Sequence, residues 1–243
     1  MNDTSLPDKQ PFRCIVDFDL FRRAMTCASR EETRHYLQGV CIEPHKDGGA
    51  LLVATDGHRL ICLRDPHAVV EGGPGIVRLT GRTIRQGAKA RRHTDSNLSS
   101  TLQLVVDQGR ASVALLRNPA KDEPRERPFH LATMPGLTVM AHQWADVLID
   151  GTFPAWRVLV GRPDLSCDLR AVFRAGLIEG VARALCVDDN GYARVVPIAH
   201  TADERATDNV RHLVFGTLDG FGIVMPMRFR TIPTQLPDWM EAV

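Results

Sequence analysis

One pattern constrains this chain more than any other: a short amphipathic helix followed by short apolar runs, met about three times in 243 residues. In the first copy Asp17-Phe-Asp-Leu-Phe-Arg-Arg-Ala-Met25 puts Phe18, Leu20, Phe21 and Met25 on one side at helical spacing, with Asp17 or Asp19 as the cap. Strand-like runs follow at residues 36–42, 50–54 and 60–63, and Lys46-Asp-Gly-Gly49 is a turn between two of them. In the second copy residues 76–79 read as a short strand and 81–93 as a helix, against which Gly87 counts. Strands at 102–106 and 111–116 are joined across Asp107-Gln-Gly-Arg110, and the charged, Pro-containing stretch 118–127 is a loop. The third copy starts near Ser166: residues 167–179 read as helix, 181–187 as strand, Asp188-Asp-Asn-Gly191 as a hairpin turn, and 193–198, 211–215 and 222–227 as strands. Repetition at this scale points to a pseudo-symmetric α+β architecture. An α+β domain without internal symmetry is the plainer alternative.

Composition narrows the function classes. Apolar residues make up 44% and charged residues 24%, ordinary for a soluble globular chain. A net charge of +1 excludes a polycation, so affinity for nucleic acid must come from local clusters of Lys and Arg. Six cysteines (Cys14, Cys27, Cys41, Cys62, Cys167, Cys186) are scattered, with no CxxC pair and no His at zinc-finger spacing. Residues 1–11 read as a polar, flexible leader without an apolar signal core, and no apolar run is long enough to cross a bilayer. The expectation is a reducing, cytoplasmic location and no membrane partner. There is no nucleophile elbow, no Gly-rich phosphate loop and no HExxH. Asp56-Gly-His58 near Cys62 is the closest approach to a catalytic pair, and Asp188-Asp189 reads as a turn rather than a cation site. No enzyme activity, cofactor or metal is expected.

Basic residues cluster on the expected helices. Arg82, Arg85, Lys89 and Arg92 recur at three- and four-residue spacing with Arg91 beside them, Arg22 and Arg23 lie on the first helix, and Arg170 and Arg174 share a face of the third. A basic face without interleaved aromatics suits phosphate contacts rather than base reading. A solvated helix face is the commoner meaning of such a cluster.

Three segments, in order, resemble the bacterial DNA polymerase III β subunit, or sliding-clamp, family. They are Tyr36-Leu-Gln-Gly-Val40 with Val53-Ala-Thr-Asp-Gly-His-Arg-Leu60, then Leu148-Ile-Asp-Gly-Thr-Phe-Pro-Ala-Trp-Arg-Val-Leu159, then Ile223-Val-Met-Pro-Met-Arg-Phe229. The resemblance implies a DNA-clamp fold of repeated helix-plus-antiparallel-strand units, here about one and a half clamp domains, without the family's first domain. On that reading residues 12–160 match the family's middle domain, 161–229 a shortened C-terminal domain, and 230–243 form a tail.

The function implied is that of a non-catalytic replication or repair factor. Its partners would be duplex DNA held by backbone contacts, polymerases or repair proteins carrying clamp-binding peptides, a clamp loader, and further copies of the chain. A peptide-binding regulator that forms no ring, and that sequesters clamp partners or docks on the host clamp, is the alternative. The family's peptide pocket corresponds to Thr55, Gly57, His58, Arg59, Leu60, Pro154, Val158, Leu159, Ile223, Met225, Pro226, Met227, Arg228 and Phe229. Such a set joins a soft apolar cleft, with Met adapting to varied ligands, to polar groups that orient a peptide. Val158 stands where the family often has a second Arg. The tail segment Gln235-Leu-Pro-Asp-Trp239 resembles a clamp-binding peptide, which makes Gln235, Leu236 and Trp239 a self-binding element, with an unstructured tail as the plainer reading.

Overall fold

Among the described residues a helix followed by three antiparallel strands occurs three times, the first two times behind leading strands. The computed structural model describes residues 11–92, 100–117, 137–160, 173–185, 194–199, 211–217 and 220–226. The first unit opens with β1 (Arg13–Asp17) and α1 (Phe18–Met25). After a 3-10 segment over Glu32–Leu37 it continues as β2 (Val40–Pro44), β3 (Ala50–Thr55) and β4 (Arg59–Asp65). The second opens with β5 (Val69–Glu71) and β6 (Gly75–Val77), then α2 (Gly81–Arg92), β7 (Ser100–Asp107), β8 (Arg110–Arg117) and β9 (Leu137–Gln143). A link with β10 (Leu148–Ile149) and a 3-10 turn over Trp156–Leu159 leads to the third: α3 (Ala175–Leu185), β11 (Arg194–Ala199), β12 (Arg211–Thr217) and β13 (Gly220–Val224).

Local chemistry explains several of these elements. Asp17 caps α1 by accepting a hydrogen bond from the Leu20 amide at 2.9 Å. Phe18, Phe21 and Ala24, three residues apart, are buried completely. The β7–β8 hairpin closes through Gln108 and Gly109, both at positive φ (48° and 71°), with Asp107 opposite Arg110. That is the backbone a two-residue primed turn requires.

The strands form two antiparallel sheets, β5-β1-β7-β8-β9 and β10-β6-β2-β3-β4-β13-β12-β11. Units one and two exchange leading strands: β1 pairs with β7, and β6 pairs with β2. Units one and three join through their last strands, β4 with β13. The inner face of the larger sheet (Val40, Ile42, Leu52, Ala54, Ile61, Leu63, Val224) belongs to the main core with the helices. Alternate residues of the same strands (Cys41, Val53, Leu60, Cys62, Ile223) form a second apolar cluster on the outer face.

Several elements differ from the sequence reading. The strand expected from residue 36 starts at Val40, because Glu32–Leu37 is a 3-10 segment. Gly87 sits inside α2 where the Phe18 ring and Val113 press on the helix: a Cβ would lie 2.7 Å from Phe18 Cζ and 2.9 Å from Val113 Cγ1. Residues 181–185, expected as strand, are helical; Val181, Ala184 and Leu185 recur at helical spacing and are buried. The third helix accordingly begins at Ala175, not at 167, as far as the described residues show. β1, β5, β9 and β10 have no counterpart in the sequence reading. The Asp188 turn and the loop at 118–127 lie outside the described residues.

Candidate functional site

The turn between β3 and β4 is held by its own side chains. Thr55 Oγ1 donates to the Arg59 carbonyl at 2.6 Å and accepts from the Gly57 amide at 3.0 Å. Asp56 Oδ1 accepts from the amides of His58 (2.9 Å) and Arg59 (3.0 Å). Gly57 takes φ +88°, a conformation side chains disfavour. Arg59 is committed to structure: Nε donates to Asp56 Oδ2 at 2.9 Å and Nη2 to the Thr26 carbonyl at 3.0 Å. His58 is left exposed on the rim.

Strand pairing then brings distant segments together. Leu60 lies opposite Ile223, and the Met225 amide donates to the His58 carbonyl at 2.8 Å, so residues 58–60 and 223–225 run side by side. The third segment folds over them. Trp156, 5% exposed, packs in the outer cluster with Leu60 and Ile223, and Phe153, Leu159 and Phe221 pack against it. Glu43 on β2 fastens this segment: its carboxylate accepts from Trp156 Nε1 at 3.1 Å and pairs with Arg157 Nη2 at 2.7 Å. The Arg157 guanidinium also lies 4.4 Å from the Trp156 ring centroid.

Of the expected pocket set, then, Thr55, Leu60 and Ile223 are buried supports, while Val158 is 67% exposed and Met225 and Pro226 are half-buried. Leu159 packs on the same cluster, and Pro154 begins the turn by accepting from the Trp156 amide. Met227, Arg228 and Phe229, and the tail residues Gln235, Leu236 and Trp239, lie outside the described residues. Sequence reasoning passed over Trp156, Phe153, Phe221 and Glu43. The first two lie inside a motif it had singled out, and Phe221 stands two residues before Ile223 on the same strand face. Arg34 was also passed over: its Nη1 would be 2.7 Å from a Cβ on Gly57, so this cation lies beside the turn.

Burial disarms the thiols of this region. The Cys62 thiol is pushed up to about 12 by desolvation, with the Glu43 charge adding to it, and so is that of Cys41. Neither supplies a thiolate nucleophile near neutral pH. Among the described residues no group of three or more His, Cys, Asp or Glu comes together to hold a metal ion. No helix among them is long and apolar enough to cross a membrane. A cavity of about 380 Å³ lies elsewhere, between His35, Arg78, Asp146, Leu148, Ile149 and Asp150, and shares no residue with the expected pocket.

The basic residues separate into two groups. Arg82, Arg85 and Lys89 are exposed along one face of α2, and none has a charge partner among the described residues. Arg91 and Arg92 belong to the last turn of the same helix. Arg23, by contrast, faces inward. Its Nε donates to the Ala184 carbonyl at 2.6 Å and its Nη2 to the Leu185 carbonyl at 2.8 Å, capping the C-terminus of α3. Arg22 pairs with Asp19 at 3.3 Å. Arg174 directly precedes α3, its carbonyl accepting from the Leu177 and Ile178 amides, and Arg170 lies outside the described residues. The described cation of α3 itself, Arg183, is paired with Glu179.

No protein-family model matches the chain, and no curated protein sequence does. Solved structures do match. The Helicobacter pylori β clamp bound to a DNA ligase peptide aligns at 12% identity with a TM-score of 0.54, over 94% of this chain and 68% of that one. The Pseudomonas aeruginosa DNA polymerase sliding clamp aligns at 17% identity (TM-score 0.46, 94% and 69%). The Thermotoga maritima DNA polymerase III β subunit aligns at 16% (0.43, 93% and 68%). This chain thus spans about two thirds of the length of those clamps. With its exchanged leading strands and helices on the inner sheet faces, it has the bacterial sliding-clamp fold in shortened form.

Proposed function

We propose that this chain is a non-catalytic sliding-clamp homologue that captures short peptides of replication or repair proteins on the outer face of its larger sheet. The observation that carries this reading is the convergence of three segments far apart in sequence, 55–60, 153–159 and 223–226, through the β4–β13 pairing and the Trp156 contact. Val158, Leu159, Met225 and Pro226 offer the accessible apolar surface, and His58 and Arg34 supply polar groups beside it. The Helicobacter pylori clamp of the same fold carries a DNA ligase peptide. A peptide of the form Gln-Leu-x-Leu-Phe should bind here, its aliphatic and aromatic side chains anchored on Val158, Leu159 and Met225. Met225→Ala with Val158→Ser should weaken it by about 2 kcal/mol or more, as for truncation of interface anchors. Unchanged affinity in a double variant with wild-type melting behaviour would remove the site.

Duplex DNA is the second partner in this reading, met by Arg82, Arg85 and Lys89 through phosphates and without regard to sequence. On this account residues 12–160 act as one clamp domain and 161–229 as a partial second. One observation favours the regulator that binds peptides but encloses no DNA: Arg23 is spent on capping α3, which thins the basic surface. The two readings part on closed circular DNA. A clamp stays on the circle and leaves after linearisation; the regulator dissociates equally from both.

A further inference from the structure

Of the three segments that meet at the candidate peptide site, two are locked together and one is not. Residues 58–60 and 223–225 are joined by the β4–β13 pairing and its extension from Met225 to His58. Residues 153–159 belong to no strand. Their backbone hydrogen bonds are local: the Trp156 amide donates to the Pro154 carbonyl at 2.7 Å and the Val158 amide to the Ala155 carbonyl at 3.2 Å. The 3-10 turn over Trp156–Leu159 has no side-chain cap at its start. Among the described residues, Glu43 is the one side chain that ties this segment to the sheet by hydrogen bond or charge.

Alternation along β2 turns Val40 and Ile42 to the main core and Cys41 and Glu43 to the outer face, where the Glu43 side chain is 16% exposed. Both of its oxygens are used. Oε1 accepts from Trp156 Nε1 at 3.1 Å and from the Cys41 thiol at 3.7 Å, and Oε2 pairs with Arg157 Nη2 at 2.7 Å. A carboxylate so far out of water is costly without partners, so it holds those that reach it. The next two residues, Val158 and Leu159, are the surface a peptide would meet. Glu43 itself stands off from that surface. β2 is two strands from β4, about 10 Å at ordinary strand spacing, and Glu43 lies opposite Leu51, which faces Arg64 rather than Leu60.

We propose that Glu43 is the positioning residue of the peptide site: it sets peptide affinity without touching the peptide, by keeping residues 153–159 docked so that Val158 and Leu159 stand beside Met225. This rests on the peptide-binding reading above and adds to it a residue that the recognisable motifs leave out. The link is a population. Where a segment exchanges between docked and undocked arrangements, apparent affinity falls in proportion to the docked fraction. Glu43→Ala removes both bonds and lowers that fraction. Glu43→Gln keeps an acceptor for Trp156 Nε1 but loses the charge opposite Arg157, and lowers it less.

Peptide titration of the full-length chain carrying Trp144→Phe and Trp239→Phe, which leaves Trp156 as the sole indole, tests this, with circular dichroism and melting to verify folding. The expected result is a dissociation constant for a Gln-Leu-x-Leu-Phe peptide at least about tenfold higher in Glu43→Ala and about threefold higher in Glu43→Gln, with Trp156 emission moving to longer wavelength in the same order. Arg157→Ala should weaken binding severalfold in the parent and no further in Glu43→Ala, whereas Met225→Ala, which removes a peptide anchor, should cost as much in both. If Glu43→Ala misfolds, Glu43→Gln carries the test, and Arg157→Ala should cost less in it than in the parent. Unchanged affinity in the Glu43 variants, an emission shift without loss of affinity, or an Arg157→Ala effect that persists in full without Glu43 would overturn the proposal and leave the peptide site standing. A parent chain that binds no peptide would remove the site and this role together.

Discussion

Replacing Arg23 by Ala separates a structural arginine from a DNA-contacting one. The guanidinium makes two charge-assisted hydrogen bonds, 2.6 and 2.8 Å long, to the terminal carbonyls of α3. Bonds to charged groups contribute about 1.5–3 kcal/mol each, and favourable charge at a helix C-terminus adds a few tenths more. Arg23 is half-buried, so the lower end applies, and Arg23→Ala should cost about 3 kcal/mol. Arg23→Lys keeps the charge but not the fork and should recover about half of that. Urea unfolding reads the midpoint at constant slope. Nonspecific duplex binding, measured where both variants are folded, should stay within about twofold of wild type, whereas Arg85→Glu with Lys89→Glu should lower it steeply and flatten its salt dependence. Unchanged stability in Arg23→Ala, combined with a DNA defect as large as that of the α2 variant, would refute the reasoning.

Gly87→Ala should destabilise by about 1–3 kcal/mol despite the better helix propensity of Ala, because the added methyl meets Phe18 and Val113; a thermal melt shifted upward would contradict that close contact. Stability should fall on the alkaline side. The folded state holds the Cys41 and Cys62 protons up to about 12, while the unfolded thiols ionise near 9.0, so the native state binds more protons above that value. Together the two thiols should cost about 3 kcal/mol at pH 10 relative to pH 8, and Cys41→Ala with Cys62→Ala should remove that part of the slope in urea titrations at the two pH values. Deleting residues 231–243 should raise affinity for an external clamp-binding peptide, with Trp239→Ala giving most of the gain. Gln235 follows Met225 by ten residues, an extended span of at most roughly 33 Å, so the tail motif is tethered within reach of Met225. Equal affinity of full-length and shortened chains would dismiss self-occlusion.

The legible parts of the fold were those decided within a few residues. Asp17 ahead of Phe18 and Phe21 marks α1, and Gln108-Gly109 between alternating apolar runs marks the β7–β8 turn. What escaped was decided by distant contacts. Val181 to Leu185 is as short as a strand and mostly apolar, and its helical spacing of Val181, Ala184 and Leu185 around the exposed Arg183 shows itself only in what the sheet buries. Gly222 on β13 leaves room for Val181, and Gly180 on α3 leaves room for Arg59, neither visible from spacing. The three pocket segments were recognisable, yet Glu43 was not. A lone carboxylate on a strand gives no sign that it will hold Trp156 and Arg157 across more than a hundred residues. Arg22 and Arg23 likewise look alike in sequence, and only Arg23 meets a helix end.

Amide hydrogen exchange of the full-length chain, with and without a Gln-Leu-x-Leu-Phe peptide, tests the central claim most directly. The account predicts slowed exchange in residues 55–60, 153–159 and 223–226 together, with α2 and β9 unchanged. Protection confined to one of these segments, or appearing around the His35–Arg78–Asp150 cavity instead, would contradict it.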